Sequence, residues 1–289
     1  MRLYTYYTMK KTNYHTHCNY CDGSAPLRDY VLEAIKHNFK SIGFTSHSPI
    51  TEDNGFSINH ADVPKYCEDV NALKCEFEGQ IEILLSFEFE YIPNITRPMK
   101  EVAERYNFDY ILGSVHLVVG RDPVTSPKDL WFTDGPDISY FDKGFYEFFN
   151  GDIRKAAKAF YHQTNLMLES ESLDIIGHFD KIKMNNKGRF FREDEKWYTD
   201  LVDETIDLIK QKNVIVEVNT RAIYKQRHPD YFPSLDILKR LKKQNIPVTI
   251  SSDAHAPSDL NLLWEETYNK LLDLGFKPAG KLGKIEVLQ

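Results

Sequence analysis

The sequence places histidines and acids at the ends of short apolar runs. The first run ends in His15 and His17, and the last ends in Asp253 and His255. The runs between them end in residues of the same kinds, namely His47, Glu88, Glu90, His116, His178, Glu217 and Asn219. A lone histidine at such a place is more often structural, but coincidence does not explain so many, and we expect a metal site. No role is assigned to the other histidines, His37, His60, His162 and His228.

The spacing within the pairs indicates how the side chains point. Residues two apart on a strand leave the same face, so His15 and His17 project together, as do Asp253 and His255. Imidazole combined with carboxylate suits Zn²⁺, Mn²⁺ or Fe²⁺ better than the all-oxygen shell that Ca²⁺ and Mg²⁺ prefer. At least seven ligands are too many for one tetrahedral ion. We therefore expect two or three divalent metal ions.

The elements that carry these residues alternate between strand and helix. Seven β-rich runs lie at 12–18, 41–47, 81–91, 109–118, 173–180, 213–220 and 246–255, and a last candidate strand lies at 284–289. Apolar residues at helical spacing predict helices at 27–39, 193–213 and 234–244, the last with Ser234 as N-cap. This alternation predicts an α/β barrel of parallel strands, whose carboxyl ends converge on one face. We expect residues 1–289 to form a single domain.

One stretch, at about 119–172, is too long to be an ordinary connection. It is rich in proline, aspartate and aromatic residues, and a predicted helix at about 152–171 follows. It can be a wall of the substrate pocket or an insertion that only packs against the barrel. Its aromatic and acidic side chains include Trp131, Phe132, Tyr140, Phe141, Asp134, Asp137 and Asp142, which could line such a pocket.

The composition excludes several classes of protein. Hydrophobic residues make up 42% of the 289 residues and charged residues 27%, which are globular values. The formal charge is −7 and no basic tract occurs, which disfavours a nucleic-acid partner. No apolar run is long enough for a membrane span or a signal peptide, so we expect a cytoplasmic protein. Residues 1–8 precede the first run as a short extension or reflect a misplaced start codon.

The four cysteines are best interpreted as free thiols in a reducing compartment. Cys18 and Cys21 have the spacing of a redox or zinc pair, but no second such pair follows in the chain.

Taken in order, the motifs resemble those of the polymerase-and-histidinol-phosphatase (PHP) superfamily, and within it the monofunctional histidinol-phosphatases. The matching segments are YHTHCNYCDGS, IGFTSHSP, LLSFEFEYI, ILGSVHLV, DIIGHFDKI and TISSDAHAP, and they cover nearly the whole chain. The resemblance implies a distorted (β/α)7 barrel of the PHP type with a trinuclear divalent-metal site.

The resemblance also implies which residues bind each metal. His15, His17, Glu88 and Asp253 would hold one ion, while Glu88, His116 and His178 would help to hold another. Asp22, His47 and His255 would bind the third ion, and Glu88 would act as a ligand that bridges metal ions. The chain departs from the family at Ser46, Ser86 and Ser251, where aspartate or glycine is frequent. On physical grounds alone, Glu90 competes with Glu88, because both leave the same side of the strand.

The implied reaction is the hydrolysis of a small phosphomonoester by a metal-activated water. Asp253 and His255 are the candidates for proton transfer. For the phosphate we expect a cationic side chain among those that follow the fifth and sixth strands, Lys181, Arg189 and Arg221. We expect the substrate to be L-histidinol phosphate, which would place the enzyme in histidine biosynthesis.

Other functions remain open at this stage. A PHP phosphoesterase can act on another phosphomonoester, a nucleotide or a phosphotyrosine, and a degenerate PHP domain can bind metal without turnover. The complete ligand set disfavours the degenerate domain. A TIM-barrel amidohydrolase would need a carboxylated lysine on a central strand, and no lysine ends a strand in a suitable place.

Overall fold

The computed structural model describes residues 10–50 and 55–289, so the extension at 1–8 lies outside the described residues. The strands are β1 (Thr12–Asn13), β2 (Ser41–Phe44), β3 (Glu82–Leu85), β4 (Glu88–Glu90), β5 (Leu112–Ser114), β6 (Leu117–Val119), β7 (Leu130–Phe132), β8 (Ile175–Ile176), β9 (Ile215–Asn219), β10 (Val248–Ser251), β11 (Pro278–Leu282) and β12 (Ile285–Leu288). The helices are α1 (Leu27–Lys36), α2 (Val63–Glu76), α3 (Met99–Tyr106), α4 (Ile138–Phe149), α5 (Ile153–Ser170), α6 (Lys183–Asn186), α7 (Lys196–Lys212), α8 (Arg221–Tyr224), α9 (Leu235–Lys243) and α10 (Trp264–Asp273).

Parallel strands close into a ring of seven positions. One sheet has the order β1-β2-β3, and the other has the order β11-β12-β10-β9-β8-β5-β4. Two parallel bridges join them, Thr16 with Ala254 and His47 with Glu88. β3 and β4 are one strand interrupted at residues 86 and 87, so the predicted run at 81–91 supplies a single barrel position. The chain therefore folds as the predicted distorted (β/α)7 barrel.

The interior of the barrel is filled at the amino-terminal ends of the strands. Tyr14, Tyr110 and Leu112 are buried there together with Ile285 of β12. The Tyr110 hydroxyl donates to the Tyr14 carbonyl at 2.6 Å. Gly43 of β2 faces this hydroxyl so closely that a Cβ would clash with it. This packed plug leaves the opposite, carboxyl ends of the strands as the place for a site.

Amphipathic helices cover the outside of the ring. α1, α7 and α9 match the predicted helices to within a few residues, and each buries one face against the strands. Ser234 precedes α9 as predicted, but its side chain makes no capping hydrogen bond. Its N–H instead donates to the Asp180 carboxylate at 2.9 Å. Among the described residues, no helix is long and apolar enough to cross a membrane.

The long stretch after β5 builds a separate layer over the barrel. Past His116, β6 turns back antiparallel to β7, where Leu117 pairs with Phe132. α4 and α5 follow, and α5 packs against α7. Asp152 caps α5 by accepting from the N–H groups of Arg154 and Lys155. The predicted strand at 109–118 is therefore two strands, because the hairpin takes its last residues.

Asp109 ties three elements together just before β5. Its carboxylate accepts from the Leu85 N–H at 2.7 Å and from Lys74 of α2 at 2.6 Å, and it also pairs with Lys284. Burial opposes ionisation, but the two lysines hold the pKa of Asp109 below its usual value. Asp174 lies just before β8 and accepts from the Ile111 N–H. No lysine pairs with it in the described part of the chain, and burial raises its pKa.

We predict that Asp109→Asn lowers the free energy of unfolding by about 1–3 kcal/mol at neutral pH, since the negative charge that pairs with two lysines is lost while one amide oxygen remains as an acceptor. Because the pKa of Asp109 is depressed in the folded state, this contribution is present above the unfolded pKa of about 3.9 and fades as pH falls towards the folded value. Urea unfolding at several pH values measures this difference.

Asp174→Asn is the matched control for this series. Because the pKa of Asp174 is raised in the folded state, wild type gains stability as the pH falls. The free energy of unfolding of Asp174→Asn should therefore fall further below that of wild type at lower pH. A pH-independent deficit for Asp109→Asn would contradict the ion-pair account.

Candidate metal centre

The structure brings all nine predicted metal-binding residues to the carboxyl ends of the barrel strands. Each is positioned by the segment that sequence analysis assigned to it. His15 and His17 follow β1, Glu88 opens β4, and Asp253 follows β10 with a left-handed φ of 49°. Most of these side chains are fully buried, whereas Asp22 and His255 lie at the cavity edge. The nine are His15, His17, Asp22, His47, Glu88, His116, His178, Asp253 and His255.

Glu88 lies at the centre of the group. Its Oε1 is 2.8 Å from the Nε2 atom of His178 and 3.2 Å from that of His116. Its Oε2 is 3.0 Å from His47 Nδ1 and 3.1 Å from His15 Nε2. His17 Nε2 is also close, at 3.4 Å. One buried carboxylate is therefore surrounded by five imidazole rings.

Several of these atoms have no hydrogen-bond partner among the described residues. They are the Nε2 atoms of His15, His17 and His116 and both carboxylate oxygens of Glu88. Leaving such groups buried and unpaired costs free energy, and native proteins avoid it. Nitrogen and oxygen atoms with free lone pairs are also what Zn²⁺, Mn²⁺ and Fe²⁺ bind. The residues present therefore fit a divalent metal.

The ligand atoms form overlapping groups whose members lie within 4.8 Å of one another. Four such groups occur among the described residues: His17 with Asp22, His47 and His255; His15 with His178 and Asp253; His15 with His17 and Glu88; and His47 with Glu88 and His116. The first matches the expected third site and adds His17 to it. His178 groups with His15 and Asp253, where the resemblance implied His116. The groups share members, so the ligand atoms form one continuous cluster.

The electrostatics of the group follow from burial and from the mixture of charges. Burial opposes ionisation of Glu88, but the neighbouring histidines His15 and His116 hold its pKa well below the usual value. The pKa of His17 is lowered well below its usual value by burial and by the nearby His255 and His47. The carboxylate is thus charged and His17 is neutral, and these are the forms that bind metals. Burial opposes protonation of His15 and His116, but the surrounding carboxylates raise the pKa of both rings well above the usual value, so a metal ion must displace their protons.

Outer carboxylates fix the orientation of two rings. His15 Nδ1 lies 2.5 Å from Glu217 Oε1, and His116 Nδ1 lies 2.5 Å from Glu90 Oε2. A carboxylate behind a metal-binding histidine sets its tautomer and makes it a better ligand. Of the two competing acids, Glu88 faces the rings and Glu90 stands behind His116, which favours Glu88 as the metal ligand. The sequence signal for these supports is the pair of acids at strand ends, without any indication of their role.

Thiols also lie close to the group. Cys21 Sγ is 3.5 Å from His17 Nδ1, and Cys18 Sγ is 3.3 Å from the Ser46 hydroxyl. All four cysteines are free, as expected. Ser46, one of the departures from the family pattern, thus contacts a thiol.

A cavity of about 720 Å³ opens above the group. Lys181 and Arg221, two of the three predicted phosphate-binding residues, lie on its wall. Lys181 Nζ is 2.7 Å from Asp134 Oδ2 and 3.3 Å from His178 Nε2. The Arg221 Nη1 donates to the Asp253 carbonyl at 2.9 Å and lies 2.8 Å from His255 Nδ1.

The third predicted residue, Arg189, is not brought to the cavity. Its guanidinium makes two hydrogen bonds with the Asp142 carboxylate, at 2.7 and 2.9 Å, and stacks on the Phe190 ring. The chain order placed it close to Lys181, but α6 carries it to the outside. Arg227, which sequence reasoning missed, lines the cavity instead. It lies beyond α8, where no strand-end signal could mark it.

Comparison with known proteins agrees with this geometry. The family model described as "PHP domain" matches residues 13–221. A Schizosaccharomyces pombe protein is 30% identical over 82% of this chain and 77% of its own length. A Bacillus subtilis protein named histidinol-phosphatase is 24% identical over 89% of this chain and 98% of its own. The chain therefore belongs to the PHP domain family.

Two solved structures share the fold. A Listeria monocytogenes crystal structure superimposes with a TM-score of 0.78, covering 89% of this chain and 99% of that one at 19% identity. The Lactococcus lactis histidinol phosphate phosphatase, described as complexed with Zn, L-histidinol and phosphate, superimposes with a TM-score of 0.69. It covers 96% of this chain and 98% of its own, also at 19% identity.

We predict that Glu88→Ala removes most of the bound metal, whereas Glu90→Ala weakens metal binding by about 10–100-fold and leaves part of it bound. Glu88 lies among five imidazoles, where it is placed to neutralise the bound cations, so its loss removes both a ligand and that compensating charge, while Glu90 acts only through His116. Elemental analysis after dialysis at defined free metal measures both. Retention of metal by Glu88→Ala with loss from Glu90→Ala would reverse the assignment.

Proposed function

We propose that this chain is a histidinol-phosphatase, which hydrolyses L-histidinol phosphate to L-histidinol and phosphate in histidine biosynthesis. The observation that carries the proposal is one cavity lined by side chains of the metal centre, by cationic side chains and by aromatic rings. Relatives of similar length that bear this name support it. We further propose that residues 1–289 act as one PHP barrel domain with the layer at about 119–172 as an insertion.

The proposed cofactors are three divalent ions, Zn²⁺, Mn²⁺ or Fe²⁺, held by the nine residues of the metal centre. When bound, such ions neutralise the phosphoryl oxygens and acidify the attacking water. Glu88 is suited to bridge two of them, since each of its oxygens faces different imidazoles.

The cations of the wall are suited to hold the phosphoryl group. Lys181 is buried, and its pKa is raised because Asp134 and other carboxylates outweigh the effect of burial, so it stays charged. Arg221 is fixed by the Asp253 carbonyl and presents its fork of donors to the cavity. A charged donor held in place beforehand binds a phosphoryl oxygen without the entropy cost of ordering it.

Asp253 and His255 are proposed to move the proton that the leaving alkoxide needs. Asn219 holds Asp253 Oδ2 at 3.1 Å, so that Oδ1 is left to face His17 at 3.3 Å and His255 at 3.4 Å. His255 is half-buried and lies at the cavity edge, where a proton can be exchanged with solvent.

Steady-state kinetics tests the substrate. We predict that kcat/KM for L-histidinol phosphate exceeds that for nucleoside monophosphates and phosphotyrosine by at least about 100-fold, or roughly 2.7 kcal/mol, which a few specific polar contacts can supply. Equal rates on nucleotides would end the histidinol assignment and leave the PHP family membership intact.

Arg221→Lys should lower activity on every phosphomonoester, because a lysine cannot keep both contacts of the guanidinium.

A further inference from the structure

The insertion over the barrel contributes several acidic and aromatic side chains, and the structure assigns most of them to packing. Trp131 and Phe141 are fully buried in the core. Asp137 is the N-cap of α4, where it accepts from the Ser139 N–H at 2.8 Å. Asp142 forms an ion pair with Arg189. None of these four residues lines the large cavity.

Asp134 is the acid of this layer that faces the metal centre. It follows β7, lies on the cavity wall and is 8% exposed. Its Oδ2 is 2.7 Å from Lys181 Nζ, while its Oδ1 is buried without a hydrogen-bond partner among the described residues. A buried carboxylate oxygen without a donor is costly unless a ligand supplies one.

The position of Asp134 is rigid. The preceding residue, Thr133, donates from both its N–H and its hydroxyl to the His116 carbonyl, each at 3.0 Å. Asn185 donates to the Thr133 carbonyl at 3.1 Å from the other side. The carboxylate is therefore held at a fixed place beside the metal centre, which is what a specificity residue requires.

We propose that Asp134 is a specificity-determining residue, whose free oxygen binds an ammonium group on the carbon next to the ester carbon of the substrate. This inference rests on the proposed function and names the substrate class as 2-aminoalkyl phosphates. One oxygen of Asp134 lies 2.7 Å from Lys181 Nζ, the proposed phosphate donor. A phosphoryl group bound by Lys181 would therefore place a vicinal amine within reach of the other oxygen.

The surroundings of Asp134 suit the remainder of such a substrate. Phe132, two residues earlier, packs at 5.3 Å from Phe56 and at 5.8 Å from Tyr140, and all three rings line the cavity. An aromatic side group on the amine-bearing carbon would meet these rings while its ammonium meets the carboxylate.

Two other roles for Asp134 predict different results. As a mere partner of Lys181, it would support hydrolysis of every phosphomonoester alike. As a metal ligand, it would be needed for metal content; its Oδ2 is 3.9 Å from His116 Nε2, although it belongs to none of the four groups of the metal centre. Comparing an amine-bearing substrate with one that lacks the amine separates these roles.

The test compares wild type with Asp134→Asn on two matched pairs of substrates. The first pair is L-histidinol phosphate and its desamino analogue, 3-(imidazol-4-yl)propyl phosphate, and the second is 2-aminoethyl phosphate and ethyl phosphate. We expect Asp134→Asn to lose about 10–100-fold in kcat/KM on the amines, because a charged hydrogen bond is lost. On the desamino compounds, kcat/KM of the variant should stay within about 3-fold of the wild-type value, and its metal content should be unchanged.

Asp137→Asn is the matched control. It removes a carboxylate from the same layer, but asparagine keeps the N-cap of α4, so rates on all four compounds should be unchanged. An equal loss on amine and desamino substrates, or a loss of metal in Asp134→Asn, would overturn the inference. Failure of the proposed function is distinct: selection for 2-aminoethyl phosphate with no turnover of L-histidinol phosphate would refute the histidinol assignment and leave the role of Asp134 standing.

Discussion

A single buried carboxylate, Glu88, surrounded by five imidazoles is the constraint on which the rest of the structure depends. It is 1% exposed, and such a group can be charged in a dry interior only if cations compensate it. The histidines compensate it in part, and they bring unpaired nitrogen atoms of their own. Divalent ions relieve both problems at once, because they neutralise the carboxylate and use the free lone pairs.

The barrel is built to hold this arrangement. The strand that carries Glu88 is interrupted at residues 86 and 87, and the Glu88 N–H donates to the Ser46 carbonyl at 3.2 Å, which ties Glu88 to the neighbouring strand segment. Behind the rings, Glu217 and Glu90 fix the two histidines that they contact. Below them, the packed tyrosines and leucines of the plug exclude water from the other end. The insertion completes the wall above, with Asp134 and Lys181 as an ion pair at its contact with the barrel.

Much of the fold could be predicted from the sequence, because its signals are local. Apolar runs marked all seven barrel positions; six of them end in residues of the metal centre and the seventh, β9, ends in the supporting residues Glu217 and Asn219. Residue pairs spaced by two, such as His15 and His17, marked the inward face. Other features depend on tertiary contacts that no local pattern records. Examples are the pairing of β6 with β7, the ion pair that holds Arg189 away from the cavity, and the position of Arg227 on the cavity wall. Glu90 was visible as a candidate, but its place behind His116 follows only from the paths of two strands.

Anomalous diffraction from crystals of the freshly purified protein is the most direct measurement of the central claim. The account predicts three transition-metal peaks at the carboxyl ends of the strands, with each oxygen of Glu88 at bonding distance from one of them and the histidine nitrogen atoms around them. The absence of any peak, in protein that keeps full phosphatase activity in the presence of a chelator, would contradict it.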